Sequence, residues 1–340
     1  EPLNFGVPFK RRRRLPANLI EGPYDKCMDH TLRGKPLNYY TLLVKTGAKI
    51  AGYHKTGKLG PEELLRMNFG DMADKPATFF GLAIGAPSGD DPRTVKPKLD
   101  IAFPFIHDLG RVLFPDFATE EWCNGKLRDL MFNMNAYSGE VSYWKHSNQD
   151  YVALTHINLN VDNAYFWRGE ENALQVGVFD WGNMGSSALG HKLWWWLYCM
   201  DYDNFKENLD HYVSTFIDAY EEHGGPRLDA ELLRWHVIMT SFEQMLSLCY
   251  AVPQIYKMCP KGEWPSIRNR YDPRISENKD GKSTLRLYLH VLNSIVRIIE
   301  EFDGPALFDR FVSQVWAGEF HLPPKSPGII TGDTKTGMGL

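Results

Sequence analysis

The residue pattern points to a mainly α-helical chain with a small β insert, an α+β arrangement. Two features carry this expectation. Apolar residues recur at helical spacing near the start and through the whole second half of the chain. One central stretch, between Tyr151 and Gly182, instead has the short apolar runs and turns of strands.

Residues 1–36 read as irregular, with Pro at 2, 8, 16, 23 and 36 and Gly at 6, 22 and 34. Leu37–His54 reads as a helix, with Leu42, Leu43, Ile50 and Tyr53 near helical spacing, and Gly57 and Gly60-Pro61 stop it. Residues 57–100, broken by Pro and Gly, read as a long, partly ordered excursion. Thr119–Tyr137 reads as a helix starting at Thr119 or Glu120. Tyr151–Thr155 is a short apolar run, followed by the polar stretch His156–Asn163, the apolar Ala164–Trp167 and the turn-like Arg168–Asn172. Leu174–Phe179 is a second β-rich run, ending in Asp180-Trp181-Gly182. From Ser186 on everything reads as helical, near 187–200, 204–223, 229–250, 283–302 and 305–316, with Asp229 and Ser283 as N-caps. Residues 321–340 read as a loose tail.

Composition removes several classes of function. The 340 residues carry 38 basic against 42 acidic side chains, a net charge of -4, which is no field for bulk nucleic-acid binding. The run Arg11–Arg14 is the local exception and reads as a solvated basic loop. The longest strongly apolar stretch, around Leu193–Met200, is far shorter than the roughly 20 residues of a spanning helix, so no transmembrane segment is expected. The beginning Glu1-Pro2-Leu3-Asn4 carries no signal-peptide pattern. The five cysteines, at 27, 123, 199, 249 and 259, are odd in number and widely spaced, which favours reduced thiols and an intracellular compartment.

Chemistry concentrates in the β insert. Asn158 and Asn163 lie five apart across a polar loop, and Asp180 ends a neighbouring strand. A carboxylate and an amide oxygen facing each other suit a hard cation such as Mg²⁺, which keeps waters and takes further ligands from substrate phosphates. Other motifs read as structure. Gly81, Gly85 and Gly89 lack the spacing of a dinucleotide loop. Gly281-Lys282-Ser283 lacks the glycine a phosphate-binding loop needs at 276, where Ser276 stands. Trp194, Trp195 and Trp196 point in different directions on a helix and read as packing.

The loop His156-Ile157-Asn158 followed by Asn163, together with the strand Phe179-Asp180-Trp181, resembles the C-terminal lobe of the aminoglycoside phosphotransferase/choline kinase family, which has the protein-kinase-like fold. The family's catalytic loop reads His-Gly-Asp-x-x-x-x-Asn, and its metal strand ends in Asp-Trp or Asp-Phe. The resemblance covers residues 3–316 and is nearest to a branch reading His-x-Asn-x-Asn-x-Asp-Asn-Ala-aromatic-Phe-Trp. It implies a hinge-like segment at 1–36 and a kinase-like lobe at 37–320, with its catalytic-type loop at 154–182 and helical subdomain at 186–320. It also implies Mg²⁺ held by Asn163 and Asp180, ATP as phosphoryl donor, a small hydroxylated acceptor, and His156 bracing the loop.

Two departures qualify it. Asn158 stands where the family has its catalytic Asp; an amide can orient a substrate hydroxyl but cannot take its proton, a service typically worth ~10²–10⁴ in rate. Asp162 is the nearest carboxylate that could replace it. Before residue 37 there is also no room for a nucleotide-binding lobe with its strands, glycine-rich loop and lysine. Either the chain is a fragment or the lobe is lost, and a partner chain is another way to supply it. The expectation is therefore ATP-dependent phosphoryl transfer to a small hydroxylated substrate. The alternative is a catalytically impaired, pseudokinase-like scaffold or assembly subunit with a protein partner, presenting an exposed apolar face.

Overall fold

The computed structural model describes residues 20–61, 63–65, 89–277 and 284–320. The readings made on Glu1–Asn4, Arg11–Arg14 and the rest of 1–19, on residues 66–88 of the excursion with Gly81 and Gly85, on Gly281–Ser283 and on the tail at 321–340 lie outside the described residues.

The chain opens on β1 (Ile20–Glu21) and enters α1 (Pro36–Lys55), with Pro36 at the first helical position, where its missing N–H costs nothing. Next come α2 (Pro92–Pro104), capped by Asp91, and α3, which runs from Glu120–Trp122 through a π-type segment, Cys123–Leu127, into Arg128–Ala136. Thr119 caps α3 by accepting from the Trp122 N–H. Then follow α4 (Ser138–Ser147), β2 (Val152–Thr155), β3 (Ala164–Arg168), β4 (Leu174–Val178), β5 (Gly185–Ala188), α5 (Leu189–Leu197), α6 (Tyr202–Glu222) and α7 (Ala230–Met258). The described chain closes on α8 (Thr284–Glu301) and α9 (Gly304–Arg310), which continues through the π-type Phe311–Trp316.

The architecture is mainly helical with small antiparallel sheets, as the residue pattern indicated. Helix α7 runs through the middle, against α2, α3, α5, α6 and α8. Its apolar residues surround it rather than forming one stripe, as a helix packed on most sides requires. Helix α1 lies along α6 and behind β2. Large aromatics fill the core, among them Tyr39, Tyr40, Trp194 and Trp196, each at most 1% exposed. All five cysteines are buried and unbridged. Among the described residues no helix is long and apolar enough to cross a membrane.

The structure corrects several boundaries. Gly185–Ala188, expected to lie at the start of the helical half, is a strand paired antiparallel with β2, Val152 opposite Ala188. Its small residues carry no apolar alternation to announce it. Residues 92–104, placed mostly in the broken excursion, are helical despite three prolines: Pro92 sits at the first position and Pro97 and Pro104 are absorbed. Residues 20–36 are more than an irregular lead-in. Ile20–Glu21 adds a strand to β3, with Glu21 opposite Phe166. The buried Glu21 carboxylate receives Arg168 Nε at 2.8 Å and the Tyr39 hydroxyl. Asp29 accepts from the Tyr40 hydroxyl and the Asp201 N–H, each at 2.8 Å.

Candidate functional site

The site is built where two small sheets meet the helical body. Strand β2 ends at Thr155, whose hydroxyl donates to the Gly47 carbonyl of α1 at 2.9 Å. Directly after it, the His156 carbonyl accepts from the Trp196 indole N–H of α5 at 2.8 Å. The Lys192 ammonium, fully buried, reaches the carbonyls of Thr155 and Gly185 at 3.1 and 2.5 Å, tying the ends of β2 and β5 together. Burial pushes its pKa down to about 7.

The His156 ring bridges the loop to the end of β4. One nitrogen, Nδ1, accepts the Asn158 N–H at 3.1 Å, and the other, Nε2, donates to the Phe179 carbonyl at 3.0 Å. This pairing requires the neutral ring, and burial lowers its pKa accordingly. The Trp181 ring packs edge-on against it at 5.1 Å.

Asn163 closes the loop. Its Nδ2 donates to the Asn158 carbonyl at 2.7 Å, which leaves its amide oxygen as the atom available to a cation. Its own carbonyl accepts the Phe179 N–H at 3.1 Å, extending the β3–β4 ladder one step beyond the pair Ala164–Val178. Asp180 is therefore the next residue out from Asn163. It adopts a left-handed conformation, φ 62° and ψ 58°, that ends β4, and Asp tolerates this better than most residues. Its carboxylate is exposed, and no ion pair to it is formed among the described residues.

Thus His156, Asn158, Asn163 and Asp180 are brought together around Phe179. The candidate orienting amide, Asn158, and the candidate base, Asp162, are otherwise engaged. The Asn158 side-chain oxygen accepts from Asn160 Nδ2 at 2.5 Å. Asp162 Oδ2 is ion-paired with Lys26 at 2.9 Å, while its Oδ1 is buried without a hydrogen-bond partner among the described residues. Burial opposes the charge on Lys26, yet Asp162 outweighs it and raises the lysine's pKa. The supporting residues Lys26, Asn160, Lys192 and Trp196 drew no role from the sequence. Asn160 alone carried a signal, as the second Asn of His-x-Asn-x-Asn.

The donor set, one carboxylate and one amide oxygen, fits Mg²⁺ completing its shell with water and phosphate. Among the described residues, no three His, Cys, Asp or Glu side chains form a cage that would bind a metal without such help.

One face of the β1–β3–β4 sheet is apolar and open. Tyr165 lies over Gly177, where an added Cβ would sit 2.1 Å from the ring, and stacks on Trp167 at 5.4 Å. Ile20, Tyr165, Phe179 and Trp181 are 37–46% exposed. Compared with known proteins, the chain matches no family model, no curated protein and no solved structure.

Proposed function

We propose that the loop from His156 to Asp180 is a magnesium–phosphate site and that the chain is a phosphotransferase-type protein of kinase-like lobe architecture. It would transfer a phosphoryl group from ATP to a small hydroxylated acceptor. The observation that carries this reading is the exposed left-handed Asp180 beside Asn163, with the strand between them pinned by His156. Asn163 and Asp180 would hold Mg²⁺, which when bound would offset the negative charge that develops in phosphoryl transfer. His156 acts on the site by fixing both of its walls. Asn158 would orient the acceptor hydroxyl only after releasing Asn160.

A second reading is favoured by a specific observation. Asn158 is an amide and Asp162 is ion-paired, so neither is a free base, and Ile20 and Tyr165 of the sheet are exposed together with Phe179 and Trp181 just beyond β4. That combination suits a catalytically impaired, pseudokinase-like scaffold whose partner covers the sheet.

Thermal unfolding of the whole chain with Mg·ATP separates the two. Saturation about 100-fold above Kd stabilises a folded protein by ~2.7 kcal/mol. The phosphotransferase reading expects such a rise, and its loss in Asp180→Ala. No rise in the parent protein rejects that reading and leaves the scaffold.

A further inference from the structure

A second site lies away from the catalytic-type loop. A cavity of about 410 Å³ is enclosed by the segment after β1, the α5–α6 junction, the stretch 269–271 and the inner face of α8. Three arginines line it, and they differ in how they are satisfied. Arg270 binds Asp201 Oδ1 at 2.7 Å and His290 Nδ1 at 3.0 Å. Arg297 binds Asp203 Oδ1 at 2.9 Å and Glu301 Oε1 at 3.3 Å. His290 donates its other ring N–H to the Met200 carbonyl at 2.8 Å, so this pairing keeps it neutral.

Arg286 is the exception. Its side chain is 5% exposed, and Nη1 donates to the Ser276 carbonyl at 2.5 Å. Its Nε and Nη2 are buried with no hydrogen-bond partner among the described residues. The nearest acid, Asp25, stands 3.6 Å from Nη2, outside hydrogen-bond reach, and is itself 60% exposed. Nε–H and Nη2–H are the two parallel donors on one edge of a guanidinium, the edge that takes both oxygens of a carboxylate or two of a phosphate. Arg286 therefore makes one hydrogen bond and one longer ion contact, and a buried guanidinium with two N–H groups unbonded is unfavourable until an acceptor reaches them. Asn269, Asn293 and Ser294 supply neutral polar groups, and Leu289 and Ile275 apolar surface, the mixture of a small-molecule pocket.

We propose that this cavity binds a small organic anion, with a carboxylate or phosphate group seated on the Nε–Nη2 edge of Arg286. The site stands without the phosphotransferase reading. It is nonetheless connected to the loop, because the cavity residue Cys27 directly follows Lys26, the partner of Asp162.

The test uses the whole chain without magnesium or nucleotide, so it is independent of the Asp180 experiment. Inorganic phosphate and citrate are titrated separately at constant ionic strength, followed by calorimetry. At least one is expected to saturate, and which one does tells phosphate from carboxylate recognition. Arg286→Lys keeps the charge and loses the fork, and should weaken that binding at least about tenfold, while Arg227→Lys, at an exposed arginine outside the cavity, should leave it nearly unchanged. Should Arg286→Lys fail to fold, a crystal of the parent protein soaked in the saturating anion must show it on the Arg286 edge. No saturation of either anion by about 10 mM overturns the proposal, as does undiminished binding to Arg286→Lys or an anion seated elsewhere.

Discussion

Gly47→Ala reverses an ordinary rule of helix stability. In a helix interior that substitution normally stabilises by about 0.5–1 kcal/mol, because glycine loses more backbone freedom on folding. Here an added Cβ would sit 2.2 Å from Trp196 Cη2 and 2.6 Å from Cζ2 and Cζ3. Ordinary contact begins at 3.4 Å, so the indole must retreat by 3.4 minus 2.2, or 1.2 Å. Trp196 is 0% exposed, and its N–H is committed to the His156 carbonyl. Overpacking of this kind costs about 1–3 kcal/mol, and a weakened buried hydrogen bond adds about 1 kcal/mol. Set against the helix gain, the net expectation is a destabilisation of about 1–3 kcal/mol. Urea unfolding measures it, with Gly125→Ala as the comparison: that position has open space within 4 Å and should gain slightly or not change. A Gly47→Ala midpoint equal to or above the parent's would refute the packing argument. Because the indole supports the His156 carbonyl, the same variant should also weaken any Mg·ATP response.

Acid should destabilise the fold well above the carboxylate range. Burial pushes His146 down to about 4, His236 to about 3 and His290 to about 4, while an unfolded histidine titrates near 6.5. Between those values the unfolded chain binds three protons that the folded one refuses. Asp29, pushed up to about 7 by burial, binds one proton in the folded state that the unfolded chain lacks. Burial lowers His156 and His191 in the same direction, so the balance is at least two protons in favour of unfolding, and stability should fall by roughly 3 kcal/mol per unit or more as pH drops from about 6 to 5. Urea midpoints at pH 6.5 and 5 check this, and a flat or rising stability toward pH 5 would contradict it. The thiols give a third expectation. All five cysteines are buried, and burial raises Cys123 to about 12. An aromatic disulfide reagent should therefore label none in the native protein within minutes and all five after denaturation. Fast labelling of any native thiol would show that its surroundings are more open than described.

Some of this was readable from residues alone. The apolar spacing in 37–54 marked α1, and the order apolar run, polar loop, hairpin, acid reproduced β2 to Asp180. The role of His156 in bracing the loop came only from the family resemblance, and its ring does hold the Asn158 N–H and the Phe179 carbonyl. What escaped notice depends on partners distant in sequence or on signals that cancel. Gly185-Ser186-Ser187-Ala188 has no strand character until β2 pairs with it. The prolines of α2 read as breakers, because only the fold shows where their missing N–H groups fall. Asp162 looked like a free carboxylate because its cation, Lys26, lies 136 residues earlier. The Arg286 cavity is assembled from segments between Cys27 and Arg297, none of which carries a motif.

The proposed cation pair can be approached directly with Mn²⁺ as a paramagnetic stand-in for Mg²⁺. Titrated into the whole chain with ATP and read by electron paramagnetic resonance, Mn²⁺ should occupy one site. That signal should be lost in Asp180→Ala and strongly reduced in Asn163→Ala, with both variants folded by circular dichroism. Equal Mn²⁺ binding by the parent and both variants would mean that the amide at 163 and the carboxylate at 180 do not share a cation.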